Sequence, residues 1–580
     1  MTITSELRQT VIKEREARQS YRVAEFPSLI QDGRGQDVME SLIFFAKRSA
    51  FSTQVREVCS ALDERLGDAA PNVQRHSLQF LADLTIVLNS FLPRWNLLNG
   101  DRHEEPLTRE QLEAVIEANQ TQLAQWEAIA PTAARELLAE REAYATARFG
   151  AESAENPQAL AEELVGSSLV EYVENMTAAV AHSNLRQIAE MRDSGQSRTE
   201  LGNDYAAFLR YTTYLGASFV TCNPTLVNIA WDADPERWNP IMDGIIAANP
   251  QADQAELARL ATLEIVLANM RVLRPIFLLT EGKMGCVSLQ VNPKRHDDAQ
   301  AMISDVRSIY NELRAKLDGG VPNVVFKLPG TLAGLKACRE VTSQGIGVNI
   351  TVNFAMFQQL RFAEAIHEGN AIFSCLTEMN GRLAYPVRDE LLGKLDKLSE
   401  YGIDEAIARE AAAWSGVAVV KRLEKLLAEK GYDLMKVKPL VASLRIYDEG
   451  PGYESLPSAF PDITEQVGTS IITVFPNVRY AFDALPQIEL DPRRVEEPIP
   501  DHVLETLTHS EIFKQGYYVG DPEWVAEDSR FKPDYELVLE DEEKVFEYPP
   551  IYNTLIGFSE SYDRLVQLLL ERKELLDLTD

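Results

Sequence analysis

The segment NVVFKLPGT, Asn323 to Thr331, places a lysine, Lys327, inside an apolar β-type run that stops at Pro329-Gly330. Desolvating an ammonium group in such surroundings is unfavourable, so its pKa falls and the free amine becomes populated. A neutral amine at a strand end is what Schiff-base chemistry with a carbonyl substrate requires. The plainer alternative is an edge-strand lysine whose head reaches water. Other apolar runs also end in polar groups: Asn223, Gln290, Asn349 with Thr351, Thr377 with Arg382, and Ser443 with Arg445. Taken singly, an Asn before Pro reads as a turn former and a Thr in a strand as β-propensity. The recurrence of polar groups at the same place in six runs points instead to one shared site.

These residues need elements that bring them together. From about 196 to 484, short apolar runs alternate with helical patterns. The strand candidates are GASFVTCNP, GCVSLQVNP, NVVFKLPG, GVNITVNF, AIFSCLTE, KPLVASLR and SIITVFP, with a weaker first strand near Arg198–Tyr205. About eight strand–helix units predict an α/β fold of the (β/α)8 TIM-barrel class, in which functional residues lie at the C-terminal ends of the strands. Long helical insertions follow the second strand (about 232–282) and the sixth (about 386–436). Residues 1–195 carry apolar residues at three- and four-residue steps and predict a long helical N-terminal region. Residues 485–580 form a C-terminal extension that starts Pro- and acid-rich and ends in a helix.

Composition narrows the partners. The 580-residue chain has a formal net charge of -32, a balance that repels nucleic acid and anionic membrane. No run approaches the ~18 apolar residues of a membrane helix, and the charged N-terminus has no apolar signal core. Five cysteines without CxxC spacing argue against a disulfide framework or zinc site, and a cytoplasmic location is expected. The seven histidines show no metal-ligand spacing, so neither a metal nor an organic cofactor is expected. The helical N-terminal region is a candidate surface for homo-oligomerisation; covering the rim or recruiting another enzyme are the alternatives.

The order and spacing of several segments resemble the transaldolase family over about residues 200–480. TCNPTLV resembles that family's TTNPSL segment, CVSLQVNP its VSTEVD segment, TEMNGR its SPFVGR and VASLRI its GASFRN. VVFKLPGTLAGLKACREVTSQGIGVNITVNF resembles the Schiff-base lysine strand, the following helix and the next strand. The resemblance implies a cofactor-independent transferase of the pentose phosphate type, moving a dihydroxyacetone unit between sugar phosphates. It implies that Lys327 is the nucleophile, that Asn223 and Asn349 bind substrate hydroxyls and the carbinolamine, and that Thr351 holds a proton-shuttling water. Arg382, Ser443 and Arg445 would bind the sugar phosphate, beside Thr377 of the sixth-strand motif. Guanidinium forks suit phosphate geometry.

Three departures stand out. The family's glutamate is Gln290, which can orient water but cannot titrate; the fructose-6-phosphate aldolase branch of the superfamily also has glutamine there. That branch has tyrosine where this chain has Met379, which favours the transferase. The strand-one acid-base falls by spacing near Leu201, leaving Asp204 and Glu200 as candidates, and strand register decides between them. A fructose-6-phosphate-aldolase-like lyase and a non-catalytic sugar-phosphate-binding scaffold are the alternative functions.

Overall fold

The computed structural model describes residues 2–18, 22–100, 106–526 and 529–577. Eight parallel strands close into a barrel in sequence order: β1 (Glu200–Asn203), β2 (Phe219–Thr221), β3 (Cys286–Gln290), β4 (Val324–Pro329), β5 (Val348–Thr351), β6 (Ser374–Met379), β7 (Val437–Ala442) and β8 (Ile471–Val474). The fold is a (β/α)8 barrel with helical regions before and after it. The strands are rich in Val and Ile and almost wholly buried, as expected when side chains fill the interior and helices cover the outside.

Side-chain caps start the helices that follow the strands. Asn223 accepts from Leu226 N to open the Pro224–Ala233 helix, and Thr331 accepts from Gly334 N to open the Leu332–Ser343 helix. The insertion after β2 consists of the Pro235–Ala248 and Gln254–Leu279 helices. The insertion after β6 ends in the Glu405–Ala413 and Ser415–Glu429 helices.

The N-terminal helices dock on the barrel's flank through buried polar contacts. Glu152 pairs with Arg148 and with Arg479 of the helix after β8, and Ser183 donates to Asp483 of that same helix. The C-terminal extension ends in a long helix, Pro549–Asp577, packed against both helices of the first insertion and against the Asn380–Leu392 helix after β6.

Candidate active site

Strand register aligns three of the sequence-selected residues. Gln290 pairs with Lys327, and Lys327 pairs with Asn349, so the ends of β3, β4 and β5 present them side by side. Lys327 is only 3% exposed. Burial pushes its ammonium below the ordinary lysine pKa; Asp204 and Cys222 act against the fall, and Arg382 adds to it. A carboxylate, a thiol and a guanidinium thus lie within electrostatic reach of the buried amine.

The candidate carboxylates on β1 are separated by the geometry of the strand. Glu200 and Asp204 are four residues apart and both project inward, but at opposite ends, roughly 13 Å apart at the strand rise. Glu200 lies on the floor, fully buried, bonded to Lys438 Nζ at 2.5 Å and to Ser218 Oγ at 2.9 Å. Of the two expected carboxylates, Asp204 and not Glu200 is among the groups acting on Lys327. Asp204 lies just past the top of β1, accepts a hydrogen bond from Thr221 Oγ1 and acts electrostatically on Lys327, Cys222 and Arg382.

Around the amine, the protein holds the polar groups in place. Asn349 donates through Nδ2 to Ser288 Oγ at 2.9 Å, and its Oδ1 accepts from Thr377 Oγ1 at 2.5 Å. Thr377 thus orients Asn349 rather than opening to the mouth. Thr351 Oγ1 has a single partner among the described residues, the Met379 sulfur at 3.8 Å, a weak acceptor that leaves the hydroxyl available. Gln290 has a buried Oε1 with no partner among the described residues. A buried acceptor without a donor is an open position for water or substrate. The Asn223 oxygen is engaged as a helix cap, which leaves its amide nitrogen as the donor open to a ligand.

Arg382 and Arg445 meet at the other side of the mouth. Burial and the neighbouring Arg445 both lower the Arg382 pKa, and Asp204 opposes them. Arg445 Nη1 donates to the carbonyls of Ser443 and Leu444, and its guanidinium stacks 5.1 Å from the Tyr385 ring. Neither arginine has a carboxylate within ion-pair distance among the described residues. Two adjacent guanidiniums without a direct ion-pair partner suit an anion's oxygens. A Cβ at Gly381 would lie 2.5 Å from Arg445 Cγ, so the Gly-Arg pair in TEMNGR lets the Arg445 side chain pass. Ser443 adopts φ 58, a left-handed conformation uncommon for serine; its carbonyl accepts from Gly381 N.

Three contributors were not singled out in the sequence. Phe558, on the C-terminal helix, places its ring centroid 5.6 Å from Lys327 Nζ and 5.4 Å from the Arg382 guanidinium. Asp462 accepts from Asn380 Nδ2 and from Arg445 N, buttressing the arginine side of the mouth. Ser288 anchors Asn349. No local pattern marks these three, because each acts on a residue distant in sequence.

The family model described as Transaldolase/Fructose-6-phosphate aldolase matches residues 202–515. Transaldolase 1 of Streptomyces avermitilis is 29% identical over 230 residues, 39% of this chain and 52% of that protein. Transaldolase 2 of a Nostoc species is 28% identical over 234 residues, with 37% and 52% covered. The transaldolase of Neisseria meningitidis serogroup C is 32% identical over 160 residues, with 27% and 42% covered. This chain spans about half the length of these curated relatives or somewhat less.

Proposed function

The chain belongs to the transaldolase/fructose-6-phosphate aldolase family, the match spanning residues 202–515 of its 580, and we propose that it transfers a dihydroxyacetone unit between sugar phosphates through an imine on Lys327. The observation that carries this reading is the buried Lys327 amine within electrostatic reach of Asp204, sharing the Phe558 ring with Arg382, beside two guanidiniums lacking ion-pair partners among the described residues. The neutral amine attacks the C2 carbonyl of a ketose phosphate. The carbinolamine loses water to give the imine, with Thr351 and the open Gln290 acceptor holding that water. Asp204 takes the proton of the C4 hydroxyl and the C3–C4 bond breaks. The electron pair moves into the protonated imine and leaves an enamine, while the aldose phosphate departs. An acceptor aldehyde phosphate then enters and the steps reverse. Arg382 and Arg445 hold the phosphate, and no bound cofactor enters any step.

The test is reduction with borohydride in the presence of fructose 6-phosphate. The expected product is a mass adduct on the peptide containing Lys327, absent from Lys327→Met. An adduct that persists in that variant, or none in the wild type, would falsify the assignment.

Gln290 favours a second reading, a lyase that releases free dihydroxyacetone; Met379 argues for the transferase. Turnover of fructose 6-phosphate with and without erythrose 4-phosphate separates them: dependence on the acceptor supports transfer, and independence supports cleavage.

A further inference from the structure

A cavity of about 890 Å³ opens on the barrel face opposite Lys327. Its walls come from the first helix, from Gly216–Ser218 at the entry to β2, from the Gln254–Leu279 helix and from Gly320 ahead of β4. These segments feed the N-terminal ends of the strands, whereas Lys327 and its partners occupy the C-terminal ends.

The charge balance around this cavity is unusual for a chain of net charge -32. Three carboxylates are each shared by two guanidiniums. Glu14 takes Arg18 at 3.2 Å and also Arg274. Asp193 takes Arg192 at 2.7 Å and Arg94 at 3.3 Å. Arg210 on the wall shares Asp83, which lies behind the wall, with Arg141, which is also outside the cavity, at 3.3 and 3.0 Å. Of the other acidic residues on the wall, Asp37 is engaged by Arg34 outside the cavity, burial pushes Glu40 up to about 7, reducing the negative charge it offers, and Asp318 is exposed to solvent, where its charge is screened. Lys13 and Arg271 add two exposed cations at the rim. Arg94, which lines the cavity, is 3% exposed and its Nη2 has no hydrogen-bond partner among the described residues. A buried guanidinium nitrogen rarely goes unpaired, because leaving it so forfeits its hydration.

We propose that this cavity is a second anion site, on the barrel's N-terminal face, that takes a phosphate-bearing small molecule. Surplus guanidiniums match phosphate oxygens in pairs. The volume exceeds that of a phosphate alone, and the rings of Phe44 and Phe91, 5.6 Å apart, line the wall as an apolar seat for an organic body. The site also touches the barrel core. Arg192 Nη1 donates to Ser218 Oγ at 2.8 Å, and that hydroxyl donates to Glu200 on the floor.

The test is calorimetric titration of the full chain with pyrophosphate at physiological ionic strength. In an Arg382→Ala/Arg445→Ala background, which removes the mouth site, one pyrophosphate is expected to bind. Adding Lys13→Glu and Arg271→Glu, both exposed, is expected to weaken that binding about tenfold or more without changing the melting temperature. Arg94→Lys tests the buried end, and the same loss is expected. Absence of binding in the background protein overturns the proposal, as does binding that the rim reversals leave unchanged. A second readout is hydrogen exchange: pyrophosphate is expected to slow it at Gly216–Ser218 and not at Asn349–Thr351. The reverse pattern also overturns the proposal.

Discussion

In the proposed imine mechanism Lys327 reacts only as the neutral amine, so its protonation would set the pH profile of the first covalent step. Below its pKa in the fold the ammonium predominates and cannot attack. Imine trapping is therefore expected to rise with pH through a midpoint below the ordinary 10.5. Asp204 opposes the depression. Asp204→Asn is thus expected to move the trapping midpoint to lower pH, while carbon–carbon cleavage falls about 10²- to 10⁴-fold. That combination separates a proton-transferring carboxylate from one that merely holds the lysine. Trapping with fructose 6-phosphate over a pH series, with cleavage measured in parallel, reads both. A midpoint that moves upward, or cleavage that survives the change, refutes the role given to Asp204.

Glu200, Gly381 and Phe558 owe their importance to the elements that carry them. Glu200 on β1 is paired on the barrel floor with Lys438 on β7, one strand beyond its neighbour β8. Removing one partner leaves the other charge buried alone; Glu200→Leu is expected to destabilise by about 3–5 kcal/mol, and Glu200→Leu with Lys438→Met by much less. Denaturant melts of the two single variants and the double close the cycle, and additivity would contradict the pairing. Gly381 lies where the helix after β6 meets Arg445. Gly381→Ala is expected to displace that side chain and raise KM for sugar phosphates, with imine trapping retained at saturating substrate. Phe558 rides on the C-terminal helix over both Lys327 and Arg382. Its ring must move aside for a ketose phosphate to bridge the two. Phe558→Ala is expected to speed imine formation and, by admitting water, to raise donor turnover without acceptor. Unchanged kinetics would show the helix to be a passive wall.

Across the molecule, buried carboxyls and net charge act on stability in the same direction. Burial raises Asp462 and Asp483 from 3.8 to about 6, and Glu40 from 4.5 to about 7. Such groups hold protons more tightly folded than unfolded. The stability they contribute is present at low pH and is lost as pH rises through roughly 4 to 7. Repulsion within the anionic chain grows over the same interval. Lys421, held near 8 by burial, opposes this only at higher pH. The melting temperature is therefore expected to fall between pH 5.5 and 7.5, with added salt restoring only the part due to repulsion. Asp462→Asn is expected to flatten the slope. A melting temperature that is constant or rises across that interval contradicts the prediction.

The barrel was legible in the chain because its strands are buried on both faces. Burial forces short apolar runs, and parallel crossovers force helices between them, so GCVSLQVNP and NVVFKLPG announce themselves locally. The candidate site was legible to the extent that it sits at strand ends, where position along the chain and position in space coincide. Lys327, Gln290 and Asn349 follow from that rule. The weakest strand was also the ambiguous one: β1 has only four residues, and Glu200 and Asp204 share a face. Only closure of the barrel, which brings Lys438 of β7 to Glu200, assigns one carboxylate to the floor and the other to the mouth. Phe558, Asp462 and the arginine-lined cavity have no local signature. Each exists because segments that are not neighbours along the chain pack together, Asp462 meeting Asn380 82 residues away and Phe558 meeting Lys327 across more than two hundred, and such contact is decided by tertiary packing alone.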